Sequence, residues 1–407
     1  MTTERKEPVT DWAKDYDIFD PSYVKDPYPV WDELRGKCPV AHTDRWGGSW
    51  MPTRFEDVFA IAQDIQHFSS RDILVAPTIP IDGATDPSSP NYAIGAAPIA
   101  SDPPVHTWSR RLILPSFSMR STEPYVEHTR KLCRSLIDGF IEEGRADAAV
   151  DYAQQIPPRV IAMLLGIPQE MAGTFTNWVR DLLEVGLQKP EVRGPARMAI
   201  IEFFREQIAD RRKNPGDDLI SVLLAAEVDG EPVPDNHLVG TCLLVLVAGI
   251  DTTWSSIGSA LWHLAQHDDD RRRLVNEPEL IGSAVEELLR AYSPVTMARI
   301  VAEDVEYDGC QMKEGQRVLM NFPAANRDPE KFPDADKVII DRAKNPHVAF
   351  GAGIHRCAGS NLARMEMRVA IEEWLARIPE YRLENPDAVT WAGGQVRGPR
   401  SLPVAFP

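Results

Sequence analysis

A cysteine at the end of a glycine-punctuated loop constrains this chain more than any other feature. The run at 347–359 reads His-Val-Ala-Phe-Gly-Ala-Gly-Ile-His-Arg-Cys-Ala-Gly, and Cys357 stands directly before a predicted helix. The helix is predicted because Leu362, Met365 and Val369 recur at three- and four-residue steps. Free backbone N–H groups and the helix dipole favour a thiolate at such a position. The sequence therefore presents a candidate thiolate ligand at a loop–helix junction.

These are the requirements of a thiolate bound axially to haem iron, whose potential is tuned by N–H bonds to the sulfur. The segment resembles the cytochrome P450 family, whose signature is Phe-x-x-Gly-x-x-x-Cys-x-Gly. Phe350, Gly353, Cys357 and Gly359 match every fixed position. Gly351 and Gly353 allow backbone geometries that a Cβ would block, and Gly359 lets the helix begin against a flat group. The resemblance implies that Cys357 ligates the iron of haem b. The alternative is a buried, inert cysteine, which is common for free cysteines.

The composition is that of an ordinary globular protein, with 407 residues, 43% hydrophobic and 26% charged. The five cysteines are scattered and form no Cys-x-x-Cys pair, which argues against a disulfide framework or zinc site and fits a reducing cytosol. The N-terminal segment is polar and acidic, and no apolar run reaches about 18 residues, so neither a signal peptide nor a membrane span is predicted. The net charge of −17 argues against nucleic acid or an anionic membrane as main partner. We expect a cytoplasmic protein.

Helical patterns dominate, and two short β-prone runs follow in the second half of the chain. Residues 74–105 form a long proline-rich loop. Helices are predicted over 106–145, 151–166, 196–226 (with a break at 214–216), 235–267, 270–275 and 279–292, and after Cys357 to about residue 378; β-prone runs lie at 298–307 and 316–321. The resemblance covers almost the full length. We therefore expect one large, mainly α domain over 1–407 with small β-sheets, in which haem lies between the long central helix and the cysteine-loop helix.

The central helix contains an unusual polar sequence, Ala-Gly-Ile-Asp-Thr-Thr, after a strongly apolar run. A glycine inside a helix costs roughly 1 kcal/mol relative to alanine, and a buried acid needs a partner. One interpretation ends the helix at Gly249 and begins another, capped by Asp251 or Thr252. The other keeps one helix, locally opened by threonine side-chain bonding, with Ala248 and Gly249 leaving space above a haem. The run resembles the family's oxygen site, which implies that Thr252 assists dioxygen activation and Asp251 delivers protons.

A Glu-Leu-Leu-Arg motif, with Glu287 and Arg290 at its ends, lies on a predicted helix with an apolar face. A pair at this spacing is ordinarily a solvated surface pair worth roughly 0.2–0.5 kcal/mol. The resemblance matches it to the family's Glu-x-x-Arg, which joins an arginine of the segment before the cysteine loop, and Arg342 fits that place. The implied role is structural. Val338 and Ile339 depart from the family's usual aromatic and acidic residues, so the packing of that segment stays open.

A haem carries two propionates, and buried carboxylates need cationic or hydrogen-bonding partners. His106 and Arg110 lie one turn apart in the run Asp-Pro-Pro-Val-His-Thr-Trp-Ser-Arg-Arg, which resembles the family's propionate-binding helix. Trp108 stands there in place of a common basic residue. Arg299 and His355 match two further propionate ligands. The alternative for each is a satisfied surface or core residue.

No Gly-x-Gly-x-x-Gly follows a predicted strand, so no flavin or nicotinamide domain is expected and electrons must come from another protein. Basic residues cluster around the motifs that line the thiolate side: Arg110, Arg111, Arg342, Lys344, Arg356 and Arg364. Some of them are expected to point inward and pair. The remainder predict a docking patch for an acidic ferredoxin, itself served by a reductase.

The sequence thus predicts a haem-thiolate monooxygenase that inserts one oxygen atom of dioxygen into an organic substrate, by hydroxylation or oxidative dealkylation. The alternatives are a peroxide-driven peroxygenase or fatty-acid decarboxylase on the same fold, and a non-catalytic haem sensor or carrier. Family substrate-contacting stretches map to 79–98, 171–186, 243–248, 294–298 and 393–398. They predict a mainly apolar pocket from Ile81, Tyr92, Ile94, Leu182, Leu244, Val247, Val295, Met297 and Val396.

Overall fold

The computed structural model describes residues 7–84, 86 and 88–407, and helix dominates this part of the chain. The helices are α1 (Pro21–Lys25), α2 (Tyr28–Lys37), α3 (Phe55–Gln63), α4 (Val105–Ile113), α5 (Met119–Thr122), α6 (Pro124–Asp138), α7 (Ile156–Leu164), α8 (Ala172–Leu183), α9 (Val185–Gln188), α10 (Pro190–Lys213), α11 (Leu219–Leu224), α12 (Asp235–Leu264), α13 (Asp268–Asn276), α14 (Ile281–Ala291), α15 (Phe322–Ala325) and α16 (Ser360–Arg377). Short 3₁₀ turns occupy several connections.

The strands are short and form small sheets at the edge of the helical body. They are β1 (Val40–Thr43), β2 (Ser49–Pro52), β3 (Phe68–Ser69), β4 (Arg145–Asp147), β5 (Glu227–Val228), β6 (Glu231–Pro232), β7 (Met297–Val301), β8 (Val305–Tyr307), β9 (Cys310–Met312), β10 (Arg317–Met320), β11 (Arg382–Leu383), β12 (Thr390–Ala392), β13 (Gly398–Ser401) and β14 (Pro403–Ala405). The largest sheet has the order β1-β2-β10-β7-β3, and only its β2–β10 pair is parallel. A second sheet has the order β11-β14-β4, and three hairpins pair β5 with β6, β8 with β9 and β12 with β13.

The central helix α12 is continuous over 30 residues and packs against α7, α8, α10, α14 and α16. The interpretation that the helix ends at Gly249 is therefore wrong. The expectation that this glycine leaves space above a haem is corrected as well. A Cβ at Gly249 would lie 2.4 Å from Cδ1 of Ile161, so the glycine instead lets α7 pack closely against α12.

Prolines account for the difference between the predicted and observed helices. The segment predicted as helical over 106–145 is divided into α4, α5 and α6, with Pro115 and Pro124 at the start of new helical turns. Proline fits a first turn because it lacks the N–H that would be unpaired there. In the opposite direction, α10 begins earlier than predicted and contains Pro195 near its start.

The long loop predicted at 74–105 has neither helix nor strand among its described residues before Val105, which begins α4. Its Thr85 and Pro87, like the first six residues of the N-terminal segment, lie outside the described residues. The loop is tied to the helical body by side chains of other elements. Asn236 at the start of α12 donates to the carbonyl oxygens of Pro90 and Tyr92, at 3.0 and 2.8 Å.

Within the described ranges, α12 is the one helix long and apolar enough to cross a membrane. Its most apolar window has a mean hydropathy of 1.6, and 67% of that window is buried inside the protein. Core helices of globular proteins pass the same test. The helices that surround α12 identify it as the centre of the largest hydrophobic core.

Candidate active site

The loop before α16 is folded tightly around Cys357. The Cys357 N–H donates to the carbonyl oxygen of Phe350 across 2.8 Å, which closes the loop on itself. Gly351 and Gly353 have φ angles of +70° and +66°, a conformation that favours glycine. A Cβ at Gly353 would also lie 2.5 Å from the backbone oxygen of Ala62 in α3. The glycines predicted from the motif are therefore required by turn geometry and by close backbone contact.

Protein atoms surround the Cys357 side chain, but part of its surface remains exposed. The side chain therefore faces an opening inside the protein. Cys133 and Cys242, by contrast, are buried. Burial raises the pKa of the Cys357 thiol, against the opposing effects of the Gly359 N–H bond and of nearby arginines, led by Arg110. A Cβ at Gly359 would meet no protein atom closer than 3.9 Å, so protein packing alone does not require glycine there. Cys357 is exposed to that opening, which the interpretation of a buried, inert cysteine did not expect.

One face of α12 is open although the helix lies in the core. Leu244, Val247 and Thr252 are half-buried on this face, and Ala248 between them is exposed. The Thr252 hydroxyl donates to the Ala248 carbonyl oxygen across 2.9 Å. This is the threonine bonding predicted from the sequence, and it leaves the hydroxyl oxygen able to accept a hydrogen bond.

Asp251 projects from a different side of α12 and is 1% exposed. Its Oδ1 accepts hydrogen bonds from Nη2 of Arg400 at 2.8 Å and from Oγ of Ser255 at 3.1 Å. Nε of Arg400 also donates to Glu184, at the end of α8, across 2.8 Å. Burial raises the pKa of Asp251, and the positive charge of Arg400 opposes that shift. Asp251 is thus held in a buried ion-pair network rather than on the open face beside Thr252.

Four predicted propionate ligands converge beside the cysteine loop. The rings of His106 and His355 lie 4.3 Å apart, and Nε2 of His106 is 3.1 Å from the Ile354 carbonyl oxygen. Arg110 donates to the backbone oxygen of Arg356. Burial, then the positive charge of Arg299, lowers the pKa of His355 to about 3. The structure thus brings His106, Arg110, Arg299 and His355 together.

This cluster fits a group that carries carboxylates. Nδ1 of His106 and Nε2 of His355 are buried without a hydrogen-bond partner among the described residues. Burial lowers the pKa of Arg299 to about 10, and only the more distant Asp102 opposes it. Buried donors and cations of this kind need acceptors or anions. The Cys357 thiol faces an opening, and Ala248 of α12 is exposed. Together with the cluster, these features fit haem: the sulfur would bind the iron, and the cluster would bind the propionates.

Glu287 is the centre of a buried polar network that joins α14 to the segment before the cysteine loop. Its two oxygens accept from Arg290 at 2.8 Å and from Nε of Arg342 at 3.0 and 3.1 Å. The Ile339 N–H and the Asn345 amide also donate to it, at 2.8 and 3.1 Å. Glu287 and Arg290 are both fully buried. The surface-pair interpretation is therefore wrong, and Arg342 does join the pair.

The basic residues predicted to cluster on the thiolate side divide into engaged and exposed side chains. Arg364 is paired with Glu286 through two hydrogen bonds of 2.6 and 2.8 Å and lies over the Phe350 ring. Arg110 and Arg342 are also engaged, as described above. The exposed members are Arg111, Lys344 and Arg356.

The residues predicted to line the substrate pocket lie in different parts of the fold. Ile94, Leu182 and Val396 belong to the main core, and Ile81 and Val247 pack against it. Val295 forms a β-bridge with Val396, which joins two of the predicted stretches. Leu244 lies on the open face of α12. Two residues differ: Tyr92 is 45% exposed at the surface, and Met297 packs against the core of the five-stranded sheet.

Sequence reasoning missed Glu184 and Arg400, the partners of Asp251. It also missed Arg193 and Arg197 of α10, which lie against two of the predicted substrate stretches. Single charged residues far apart in the chain carry no local pattern, so no sequence signal pointed to them.

Comparison with known proteins agrees with this geometry. The family model described as "Cytochrome P450" matches residues 195–384. The mycinamicin IV hydroxylase/epoxidase of Micromonospora griseorubida is 34% identical over 88% of this chain and 89% of its own. The vitamin D(3) 25-hydroxylase of Pseudonocardia autotrophica is 34% identical over 98% of each chain. The solved structure of the cytochrome P450 PksS from Bacillus subtilis has a TM-score of 0.86 and 32% identity, covering 96% of this chain and 99% of that one.

Relatives at this identity cover nearly the whole of this chain, and the solved structure shares its fold. The family uses haem b, dioxygen, an organic substrate and electrons from a redox partner. The chain therefore belongs to the cytochrome P450 family and is a haem-thiolate monooxygenase.

Proposed function

We propose that Cys357 is the axial ligand of the haem iron and that His106, Arg110, Arg299 and His355 hold the propionates. The observation that carries this proposal is the pair of buried, unpartnered ring nitrogens beside a loop whose thiol faces an opening. Phe350, Gly351 and Gly359 shape the loop around the sulfur. When bound, the haem supplies the site at which dioxygen is reduced and one oxygen atom is passed to the substrate.

The proton supply is assigned to Thr252 and Asp251. The Thr252 hydroxyl lies on the open face of α12 beside Ala248, where it donates to a carbonyl and accepts through its oxygen. Asp251 lies behind that face, where burial raises the pKa of its carboxyl group and the charge of Arg400 opposes that shift. Arg400 orients the carboxyl group. For protons to pass from Asp251 to the open face, the Asp251 side chain must change its rotamer and ordered water must bridge the remaining distance.

Glu287, Arg290 and Arg342 have a structural role in this proposal. They fix the segment between β10 and the cysteine loop, because a fully buried carboxylate with five hydrogen-bond donors leaves that backbone little freedom.

The substrate binds in a mainly apolar pocket above Ala248, with Ile81, Ile94, Leu244, Val247 and Val295 as its best-placed candidates. Electrons come from a ferredoxin-type donor and its reductase, which dock at the exposed basic residues on the thiolate side. We further propose that residues 1–407 form one haem domain and that the protein works in the cytoplasm. The packing of α12 against helices from both halves of the chain supports the single domain.

Reconstitution of the haem-loaded protein tests the function directly. A ferredoxin, its reductase and NADPH are supplied with compounds that first shift the haem spectrum by displacing the axial water. The expected result is substrate-dependent NADPH consumption and a product that carries one atom of labelled dioxygen.

Two alternatives predict different results. A peroxygenase or decarboxylase would turn over with hydrogen peroxide alone and would not need Asp251 or Thr252. A haem sensor or carrier would consume no NADPH in response to any compound with any redox pair.

A further inference from the structure

Two neighbouring arginines of α10 have guanidinium groups whose N–H donors find only some of their hydrogen-bond partners in the protein. Arg193 and Arg197 lie one helical turn apart, on the same side of the helix. The Nε atom of each is buried without a hydrogen-bond partner among the described residues. Each uses Nη1 on a backbone carbonyl: Arg193 on that of Leu182, and Arg197 on that of Ile79 at 3.2 Å.

No carboxylate in the described ranges forms an ion pair with either arginine, although the chain has a net charge of −17. Burial lowers the pKa of both, that of Arg193 to about 10, with the charge of Arg197 as the next cause. Asp72 opposes the shift from a distance, but Arg317 already binds it. Buried cations ordinarily have a paired anion. Arg193 and Arg197 are only half-buried as whole residues, but each has a buried Nε without a partner among the residues that the structure describes. Side by side, they therefore offer donors to an anion that the chain itself does not provide.

The two unpaired guanidinium groups lie beside stretches that are predicted to line the substrate pocket. Leu182 lies in the last turn of α8 within the main core, whereas Ile79 belongs to the long loop and is 66% exposed. The two arginines therefore join two stretches predicted to contact substrate, one in the core and one at the surface. Gly186 keeps the arrangement close, because a Cβ there would lie 2.7 Å from Cβ of Arg193.

We propose that Arg193 and Arg197 bind an oxyanion at the outer end of an otherwise apolar substrate. Planar guanidinium groups present parallel N–H donors that match a carboxylate or a sulfate. The apolar body of such a substrate extends from this anchor toward Ala248 on α12. This inference rests on the proposed function, and it narrows the predicted substrate from a mainly apolar compound to an amphipathic acid.

The test is a spectral titration with matched ligands. A panel of alkyl and aryl carboxylic acids is compared with the methyl ester of each acid and with alkyl sulfates of equal chain length. Wild-type protein is expected to bind one or more acids at least about tenfold more tightly than the matched ester, because charge-assisted hydrogen bonds are the stronger ones. Equal preference for sulfates indicates a general oxyanion site, and a preference for acids alone indicates a carboxylate site.

Variants assign the preference to these residues. The double variant Arg193→Gln with Arg197→Gln is expected to bind acid and ester alike, and the double lysine variant to keep part of the preference. Arg205→Gln is the matched control, because Arg205 lies on the same helix and also holds the loop, through the Pro90 carbonyl and the Asn91 side chain. It is expected to leave the preference unchanged.

Two results would overturn the anchor: no acid in the panel preferred to its ester in the wild type, or a double glutamine variant that weakens acid and ester equally. The second result would assign the arginines a purely structural role. The carbon-monoxide spectrum of the reduced protein is recorded for every variant. Loss of the thiolate band in the wild type would refute the proposed function, whereas a normal band without an acid preference refutes the anchor alone.

Discussion

Arg400 holds the carboxylate of Asp251 through a 2.8 Å hydrogen bond from Nη2 to Oδ1, 149 residues apart in the chain. Successive residues of a helix point about 100° apart, so this bond fixes Asp251 behind the face that carries Thr252. Glu184 binds the same guanidinium from the end of α8. The proposed proton donor is therefore connected through Arg400 to the end of α8.

Replacement of Arg400 is expected to change the pH dependence of turnover. Burial raises the pKa of Asp251, and the charge of Arg400 opposes that shift. Arg400→Ala removes the opposing charge, so the pKa rises further and Asp251 stays protonated to higher pH. We expect the pH profile of substrate-dependent turnover to move toward higher pH, measured as product formed at saturating ferredoxin. The exposed Arg382 of β11 provides a control, since Arg382→Ala removes the same charge without contacting Asp251.

Asp251→Asn complements that variant, because it keeps the shape of the side chain and removes the proton. Turnover is expected to fall on the order of a hundredfold, the usual contribution of a general acid. If Arg400→Ala leaves the pH profile of turnover unchanged and Asp251→Asn keeps full activity, the network has no part in proton supply.

Thr252→Ala is expected to uncouple oxygen activation from product formation. Substrate binding and NADPH consumption should persist, while reducing equivalents are diverted to hydrogen peroxide, measured as the ratio of peroxide to product. Thr252→Ser keeps a hydroxyl that bonds the Ala248 carbonyl and should keep most of the coupling. Unchanged coupling in Thr252→Ala would leave the residue with its backbone hydrogen bond as its only role.

Local patterns in the sequence were sufficient for the cysteine loop and the central helix, because their glycines, apolar spacing and polar interruption lie within a few neighbouring turns. Glu287 and Arg290 were found for the same reason. Glu184, Arg193 and Arg400 were not predictable, since each acts through a partner distant in the chain and an isolated charged residue usually lies in water. The division of the predicted helix 106–145 at Pro115 and Pro124 could have been predicted, because proline favours the first turn of a helix.

Cys357→His is expected to abolish the strongly red-shifted Soret band of the reduced, carbon-monoxide-bound protein, while the propionate cluster retains the haem. The band reports thiolate ligation, and Cys357 is the cysteine that faces the opening. Cys310→Ser is the matched control, because Cys310 is half-buried on β9 and lies outside the cysteine loop. Retention of the band in Cys357→His would show that another residue provides the thiolate.

Loss of Arg290 is expected to destabilise the protein strongly. Arg290→Ala leaves the buried carboxylate of Glu287 without its closest partner, and breaking a buried pair costs about 3–5 kcal/mol of unfolding free energy. Glu286→Gln, at the adjacent position, breaks a half-exposed pair with Arg364 and should cost about 1 kcal/mol or less. Urea unfolding of the haem-loaded proteins measures both. Similar losses in the two variants would contradict a special role for the buried network.

Electron transfer is expected to depend on ionic strength and on the exposed basic residues of the thiolate side. Arg111 and Lys344 are exposed, whereas Arg364 is held by Glu286 and is unsuited to dock a partner. Charge attraction is screened over a Debye length of about 10 Å at 0.1 M salt, so reduction by an acidic ferredoxin should slow as salt rises. Arg111→Glu and Lys344→Glu should slow the reduction, followed by stopped flow, without changing substrate titrations. Arg382→Glu, on the C-terminal sheet, makes the same charge change elsewhere and should have little effect. Reduction that is independent of salt and of both reversals would move the docking site to another surface.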